Sequence, residues 1–312
     1  MSTSKLNKSV LLTFVVLLLA APGTMWLVPA ARCDEVTGLA FLKIGVGARA
    51  VGMGSAQVAV ASDATSLYWN PAGLALVEDW DLHVSHNEWL QDMRYEFLAA
   101  AKRLGRHGVG LSFSGFYMDE LPRYDSAGRF LGHFGFYDVA VTGGWGMNLK
   151  PGVYIGSSVK MLVEQIDDAT ARGLAVDIGT KYDTPIRNLS LGAGVFNLGP
   201  RFKFDVEEFD IPRIVTGGAA YTLPLEQWNG SLLVATDLVS YRGEDLKVHV
   251  GAEYSFKRLA RIEVGYKFGY DVEGFSAGAG VSRGALSFGY AYSPIGSELG
   301  DAHRVSLSYA FR

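Results

Sequence analysis

Beyond residue 80, the sequence alternates between hydrophobic residues and polar or small residues with a period of two. In one such segment Leu246, Val248 and Val250 alternate with Lys247 and His249. This alternation predicts β-strands with one apolar face and one polar or small face. After residue 34 the sequence contains no long apolar helix candidate. Such a chain can enter a membrane only as a closed barrel, because in lipid only helices and closed barrels satisfy every backbone hydrogen bond.

The alternating segments number about 14, and most are near the ~10 residues that a tilted strand needs to cross a bilayer. We predict strands near 82–90, 95–104, 107–118, 136–148, 152–165, 172–183, 189–197, 213–222, 230–240, 246–256, 260–270, 274–283, 286–293 and 303–311. A β-sandwich would show the same alternation, but tight turns such as 105–106 and 284–285 alternate with long loops such as 119–135 and 198–212, which favours a barrel. The sequence therefore predicts an all-β fold, a transmembrane antiparallel β-barrel of about 14 strands, over residues 81–312.

Residues 1–33 carry the features of a secretory signal peptide. Lys5 and Lys8 precede an apolar run from Val10 to Ala20, and small residues follow before Asp34. Two alternatives stay open. One is an uncleaved anchor, although prolines and a glycine interrupt the apolar run. The other is a lipoprotein acylated at Cys33, the only cysteine, although an arginine precedes it where a small residue is required.

Residues 34–80 differ from the rest of the chain because glycines and a turn motif replace the alternation. The four glycines of 45–54 match neither the GxGxxG pattern nor a Walker motif, so they do not predict a nucleotide site. Glycines in this pattern allow close backbone packing or a positive φ. The sequence also predicts a short helix near 63–68 and a turn that begins at Asn70 and Pro71.

Residues 47–75, GARAVGMGSAQVAVASDATSLYWNPAGLA, resemble the N-terminal signature of the PorV/PorQ group within the FadL-like outer-membrane proteins. The resemblance implies a 14-stranded barrel in the bacterial cell outer membrane, whose N-terminal segment, here 34–80, folds into the lumen as a hatch. It further implies that the hatch includes Gly52, Met53, Gly54, Asn70, Pro71 and Gly73.

The residues themselves give this hatch some independent support. A barrel of about 14 strands is too wide for its own side chains to fill, and narrower than an open porin. Small residues on the expected lumen face, such as Gly146, Gly192 and Gly217, would leave room for a plugging segment. The alternative is that these glycines only ease strand twist and curvature.

The sequence gives no indication of an enzyme, a cofactor or a metal site. No pattern in it indicates a nucleophile paired with a base, which catalysis of this kind requires. His83 and His86 would point to opposite faces of a strand and could not share a metal ion, and His249 should face the lumen. The net charge of -4 gives no reason to expect nucleic acid as a partner.

Two of the long loops carry aromatic residues among charges, a pattern that suggests contact with a partner or an apolar solute. The candidate residues for this external binding surface are Phe202, Phe204 and Phe209 in one loop and Tyr124 in the other. The alternative is that these loops fold back over the mouth of the barrel.

Two functions follow from the resemblance, both in contact with outer-membrane lipid. PorV-like members act in type IX secretion or surface attachment, with secretion-system proteins or exported cargo as partners. FadL-like members carry long-chain fatty acids or other hydrophobic small molecules across the outer membrane. The expectation here is the first function, with hydrophobic transport as the alternative.

Overall fold

The computed structural model describes residues 38–204, 207–296 and 300–311. Within these residues, fourteen of the strands pair with their neighbours into a closed antiparallel barrel, in which β1 pairs with β18. The barrel strands are β1 Trp80–Glu88, β2 Arg94–Leu104, β3 His107–Tyr117, β6 Phe136–Lys150, β7 Val153–Ile166, β8 Ala169–Asp183, β9 Leu189–Leu198, β12 Ile214–Leu225, β13 Gly230–Tyr241, β14 Lys247–Phe256, β15 Ala260–Phe268, β16 Phe275–Arg283, β17 Leu286–Pro294 and β18 Asp301–Ala310. This architecture confirms the predicted fold class.

Two further pairs of strands lie in segments that the sequence predicted as loops. They are the hairpin β4 Leu121–Tyr124 with β5 Phe130–Phe134, and the short pair β10 Phe202–Phe204 with β11 Glu207–Phe209. The first closes through a local turn in which Asp125 accepts the N–H groups of Ala127 and Arg129. Such side-chain turns depend on few residues and leave no periodic signal.

In the residues that the structure describes, helical structure is confined to short pieces. The α-helices are Ala48–Gly52 and Ser66–Trp69, and the 3-10 helices are Ala40–Lys43, Pro71–Leu76, Leu90–Asp92 and Glu226–Trp228. In the described ranges, no helix is long and apolar enough to cross a membrane. The expected signal peptide, with Cys33, lies outside the described residues.

The two ends of the barrel differ in the length of their connections. At one end, here called the turn end, short turns such as 105–106 and 284–285 lie beside the start of β1 and the end of β18. At the opposite, loop end lie both hairpins and the longer connections 242–246 and 269–274. The predicted alternation of short and long connections therefore matches most of the strand order, with the exception of the two-residue turn 167–168 at the loop end.

The strands separate apolar from polar residues between their two faces. On β8, Leu174 and Ile178 are 56% and 54% exposed, whereas Asp177 between them is fully buried on the inner face. Other strands repeat this arrangement, so a continuous band of exposed aliphatic and aromatic side chains surrounds the barrel. Water solvates such a band poorly, whereas the hydrocarbon of a bilayer matches it.

We expect Ile178→Arg to destabilise the barrel in lipid by about 2–4 kcal/mol, because it places a charge in the apolar band. Thr170→Arg is the matched control: it lies on the same strand and also faces outward, but nearer the loop end, where the cost should be about 0–1 kcal/mol. Urea unfolding from lipid vesicles measures both values. Equal values would contradict a membrane position for this band.

Candidate functional site

Residues 38–79 lie against the inner face of the barrel at points where the strands carry glycine. A Cβ on Gly251 would lie 2.1 Å from the carbonyl oxygen of Met53, and one on Gly265 would lie 1.9 Å from the backbone nitrogen of Gly54. Gly54 itself has a φ of +63°, which favours glycine. The backbones of segment and wall are therefore in direct contact here.

A second contact surrounds Asn70 and Pro71, at strands β7 and β8. Asn70 is fully buried and donates from Nδ2 to the carbonyl oxygens of Val58 and Thr180, at 2.7 and 3.0 Å. Its Oδ1 accepts the N–H of Ala72 and caps the helix Pro71–Leu76. This one amide therefore joins two parts of the N-terminal segment to strand β8.

Glycines also fix the shape of this contact. A Cβ on Gly156 would lie 2.3 Å from the carbonyl carbon of Pro71, and one on Gly73 would lie 2.4 Å from the carbonyl oxygen of Ala61. Gly52 approaches the backbone of Gly278, where an added Cβ would lie 3.1 Å away. The six residues that the resemblance singled out therefore lie at contacts with the barrel wall or at contacts within the N-terminal segment. They are Gly52, Met53, Gly54, Asn70, Pro71 and Gly73.

Ion pairs hold the same segment at two levels. Arg49 binds Glu253 in a bidentate manner, with Nε and one terminal nitrogen 2.5 and 3.1 Å from the carboxylate oxygens. The Glu253 carboxylate raises the pKa of Arg49 well above its ordinary value. Nearer the loop end, Lys43 lies 2.6 Å from Glu244.

The turn 55–58 is held by one buried carboxylate. Asp237 is 2% exposed, and its Oδ2 accepts the N–H groups of Gln57 and Val58 at 2.7 and 2.9 Å. Gly218 makes room for this carboxylate, since a Cβ there would lie 2.0 Å from Asp237 Oδ1. Hydrogen bonds to a charged acceptor in a buried site are among the stronger ones in proteins.

On the loop side of this turn lies a small apolar cavity of about 50 Å³, here called the upper pocket. Its apolar lining comes from Leu42, Tyr68, Trp69, Phe196, Ile214 and Val239. Three lysines also line it, and each has a carboxylate partner: Lys43 with Glu244, Lys160 with Asp177 and Lys267 with Glu273. The pocket therefore presents no unpaired lysine.

On the opposite side of the turn, at the turn end, lies a larger polar cavity of about 550 Å³, here called the lower chamber. Gln57 lines the lower chamber, and its neighbours Ser55 and Val58 line the upper pocket. The turn 55–58 therefore contributes to the lining of both cavities.

The structure places the four predicted external residues in different environments. Phe202 is buried at 3% exposure and packs near Gly38 and Gly173, so its expected exposure is wrong: the segment folds inward over the barrel. Phe209 is half-buried and packs against the same core. The side chain of Phe204 is not among those described. Tyr124 is 58% exposed and contacts Phe130 in the β4–β5 hairpin.

His83, His86 and His249 lie on the faces of the barrel wall that the alternation predicted. Each has different contacts. His83 is buried on the inner face and His86 lies on the other face, where its Nδ1 is 2.6 Å from Glu96. His249 faces inward and its Nε2 lies 2.8 Å from the Tyr270 hydroxyl. Across the described part of the chain, no group of acidic, histidine or cysteine side chains is arranged to hold a metal ion.

Sequence reasoning missed Asp237 and Tyr241, which line the upper pocket. Asp237 is the only charged residue within β13, GSLLVATDLVSY, and an isolated carboxylate on an inward position is a signal that could have been used. The expectation that Gly217 faces the lumen is wrong. Its neighbours Thr216 and Gly218 face the lumen instead, and a Cβ on Gly217 would point into open space.

Comparisons with known proteins agree with this architecture. A family model described as Uncharacterised protein family (UPF0164) matches residues 34–184. A search of curated proteins finds no match.

Solved structures with similar folds include the Ralstonia pickettii toluene transporter TbuX, at 14% identity and a TM-score of 0.62 over 86% of this chain and 99% of that one. The CymD monoaromatic hydrocarbon channel has 12% identity and a TM-score of 0.63 over 89% and 99%. A Pseudomonas aeruginosa FadL homologue has 12% identity and a TM-score of 0.61 over 86% and 98%. These matches support the FadL-like part of the resemblance and do not reach the PorV/PorQ group. The chain therefore shares the fold of FadL-like outer-membrane barrels.

Proposed function

We propose that this chain is an outer-membrane channel for a small, uncharged hydrophobic molecule, with residues 34–80 acting as its hatch. The observation that carries the proposal is the apolar upper pocket, which lies between the loop end and the turn 55–58. Structures of the same fold include a toluene transporter and a monoaromatic hydrocarbon channel. The comparisons give no support to the secretion role expected from the sequence.

The paired lysines of the upper pocket favour an uncharged guest. A carboxylate guest would have to compete with Glu244, Asp177 or Glu273 for its cation, whereas an aromatic hydrocarbon would bury apolar surface without breaking an ion pair. The rings of Tyr68 and Trp69 add a surface that aromatic molecules contact well.

The pocket in its present state is smaller than such a guest. Its volume is about 50 Å³, whereas a cavity of roughly 150 Å³ holds benzene in another protein. Passage therefore requires displacement of side chains or of the turn 55–58 below the pocket. In this proposal the short turns face the periplasm and the long loops face the cell exterior.

Val239→Trp tests this route, because Val239 lines the pocket and is 4% exposed. We expect uptake of radiolabelled toluene to fall ~10-fold or more when the larger ring fills the pocket. The experiment uses cells that lack their own aromatic channels. The matched control is Leu238→Trp, the adjacent residue, whose side chain faces outward at 49% exposure. Uptake that is no higher with the wild-type chain than without it would refute the proposed function.

A further inference from the structure

The lower chamber contains charged groups of both signs that form no ion pair within the described residues. On its β1 side, Asp63 and Asp81 accept backbone N–H groups of Thr65 and Ala64, both at 2.9 Å. Neither carboxylate forms an ion pair with any described residue. Because the two donors are consecutive residues, the two carboxylates lie on the same side of the chamber.

The basic groups lie on another part of the wall. Lys257 and Arg258 line the chamber from the turn between β14 and β15, and within 38–204, 207–296 and 300–311 neither has a carboxylate partner. In the barrel order β1-β18-β17-β16-β15-β14, this turn lies four to five strands from β1, about a third of the way around fourteen strands. The unpaired acidic groups and the unpaired basic groups thus lie on different parts of the wall, and the ion pair of Arg49 with Glu253 lines the chamber as well.

Hydroxyl groups occupy the wall between them. Ser282 and Ser287 lie 2.8 Å apart on β16 and β17, and Ser306 and Ser308 follow on β18. His83 completes this side: it is 6% exposed and its Nδ1 lies 2.8 Å from the Ser308 hydroxyl. Its buried Nε2 has no hydrogen-bond partner among the described atoms, and the residue lines the chamber. A buried ring nitrogen of this kind normally has a partner.

We infer that the lower chamber binds a small zwitterion, such as a short peptide, with its ammonium group at Asp63 and Asp81 and its carboxylate at Lys257 and Arg258. One molecule with both charges compensates both sets of groups, and its amides can bond to the serine hydroxyls and His83. A volume of about 550 Å³ accommodates a molecule of this size. This site is distinct from the apolar upper pocket.

Binding of triglycine to the purified chain in detergent micelles tests the inference by calorimetry. The comparison ligands are N-acetyl-triglycine, which lacks the ammonium group, and triglycine amide, which lacks the carboxylate. We expect triglycine to bind at least ~10-fold more tightly than N-acetyl-triglycine, which leaves Asp63 and Asp81 without a cation, and ~3-fold more tightly than triglycine amide, because Lys257 and Arg258 lie in an exposed turn. Absence of triglycine binding, or equal binding of the three peptides, would overturn the inference and leave a chamber that holds only water.

Two variants locate the site. Asp81→Asn keeps the acceptor for Ala64 but removes the charge, and should weaken triglycine binding ~10-fold. The double variant Lys257→Gln/Arg258→Gln changes an exposed turn without disturbing the fold, and should weaken it ~3-fold. Arg187→Gln, in another turn at the same end, should leave it unchanged. Retained affinity in either of the first two variants would refute a zwitterion site in this chamber.

Discussion

Replacing Asp237 with alanine is expected to open the connection between the two cavities. The variant removes the acceptor for the N–H groups of Gln57 and Val58, which should cost the closed turn about 3 kcal/mol. A change of that size raises the population of the displaced turn ~100-fold. Single-channel recordings in planar bilayers should therefore show a clear increase in ion conductance.

Asp237→Asn provides the control for this experiment. Both N–H groups bond to the same oxygen, Oδ2, so an amide oxygen at that position can accept both bonds without the charge. We expect its conductance to stay within ~3-fold of the wild type. If Asp237→Ala conducts no more than the wild-type chain, the turn 55–58 is not the barrier between the cavities.

Gly265→Val is expected to release the N-terminal segment from the wall while the barrel itself stays closed. A Cβ there would lie 1.9 Å from the nitrogen of Gly54 and 2.3 Å from the carbonyl carbon of Met53. Backbone atoms cannot move aside as a flexible side chain does, so we expect docking to weaken by about 3 kcal/mol. Hydrogen exchange of the amides of residues 50–60 should accelerate ~100-fold.

Gly217→Val is the matched control, since nothing lies within 4 Å of a Cβ at that position. A β-branched residue is also well suited to an outward-facing strand position. Exchange of residues 50–60 should therefore match the wild type, and both variants should keep slow exchange in the barrel strands. Equal protection of the segment in Gly265→Val and wild type would mean that this contact does not hold the segment in place.

The faces of the strands could be predicted from the sequence because each strand separates two environments. Along β8, for example, the outward residues Leu174, Val176 and Ile178 alternate with the inward residues Ala175, Asp177 and Gly179. That separation repeats every second residue, so it leaves a periodic record in the chain. The predicted ends of the strands were less accurate. Strand β8 begins at Ala169, three residues before its predicted start, because its pairing with β7 continues beyond the apolar band.

The candidate site could be predicted only in part. Gly52, Met53, Gly54, Asn70, Pro71 and Gly73 were found through a resemblance, and the reason for each glycine became visible only from the atom that an added Cβ would meet. Phe202 was expected outside because charged residues surround it, yet its ring packs into the core near Gly38, more than 160 positions earlier. Nothing in the local pattern records a contact of that range.

By itself, the sequence determined the antiparallel strands, their number and the apolar band on the outer face, because local alternation and turn residues encode these features directly. Only the tertiary structure decided which groups meet inside the barrel. Asp237 meets a turn 180 positions away in the chain, and the lower chamber exists only because closure brings β1, β14 and the N-terminal segment together. Contacts of this kind depend on the curvature of the whole sheet, which no single segment specifies.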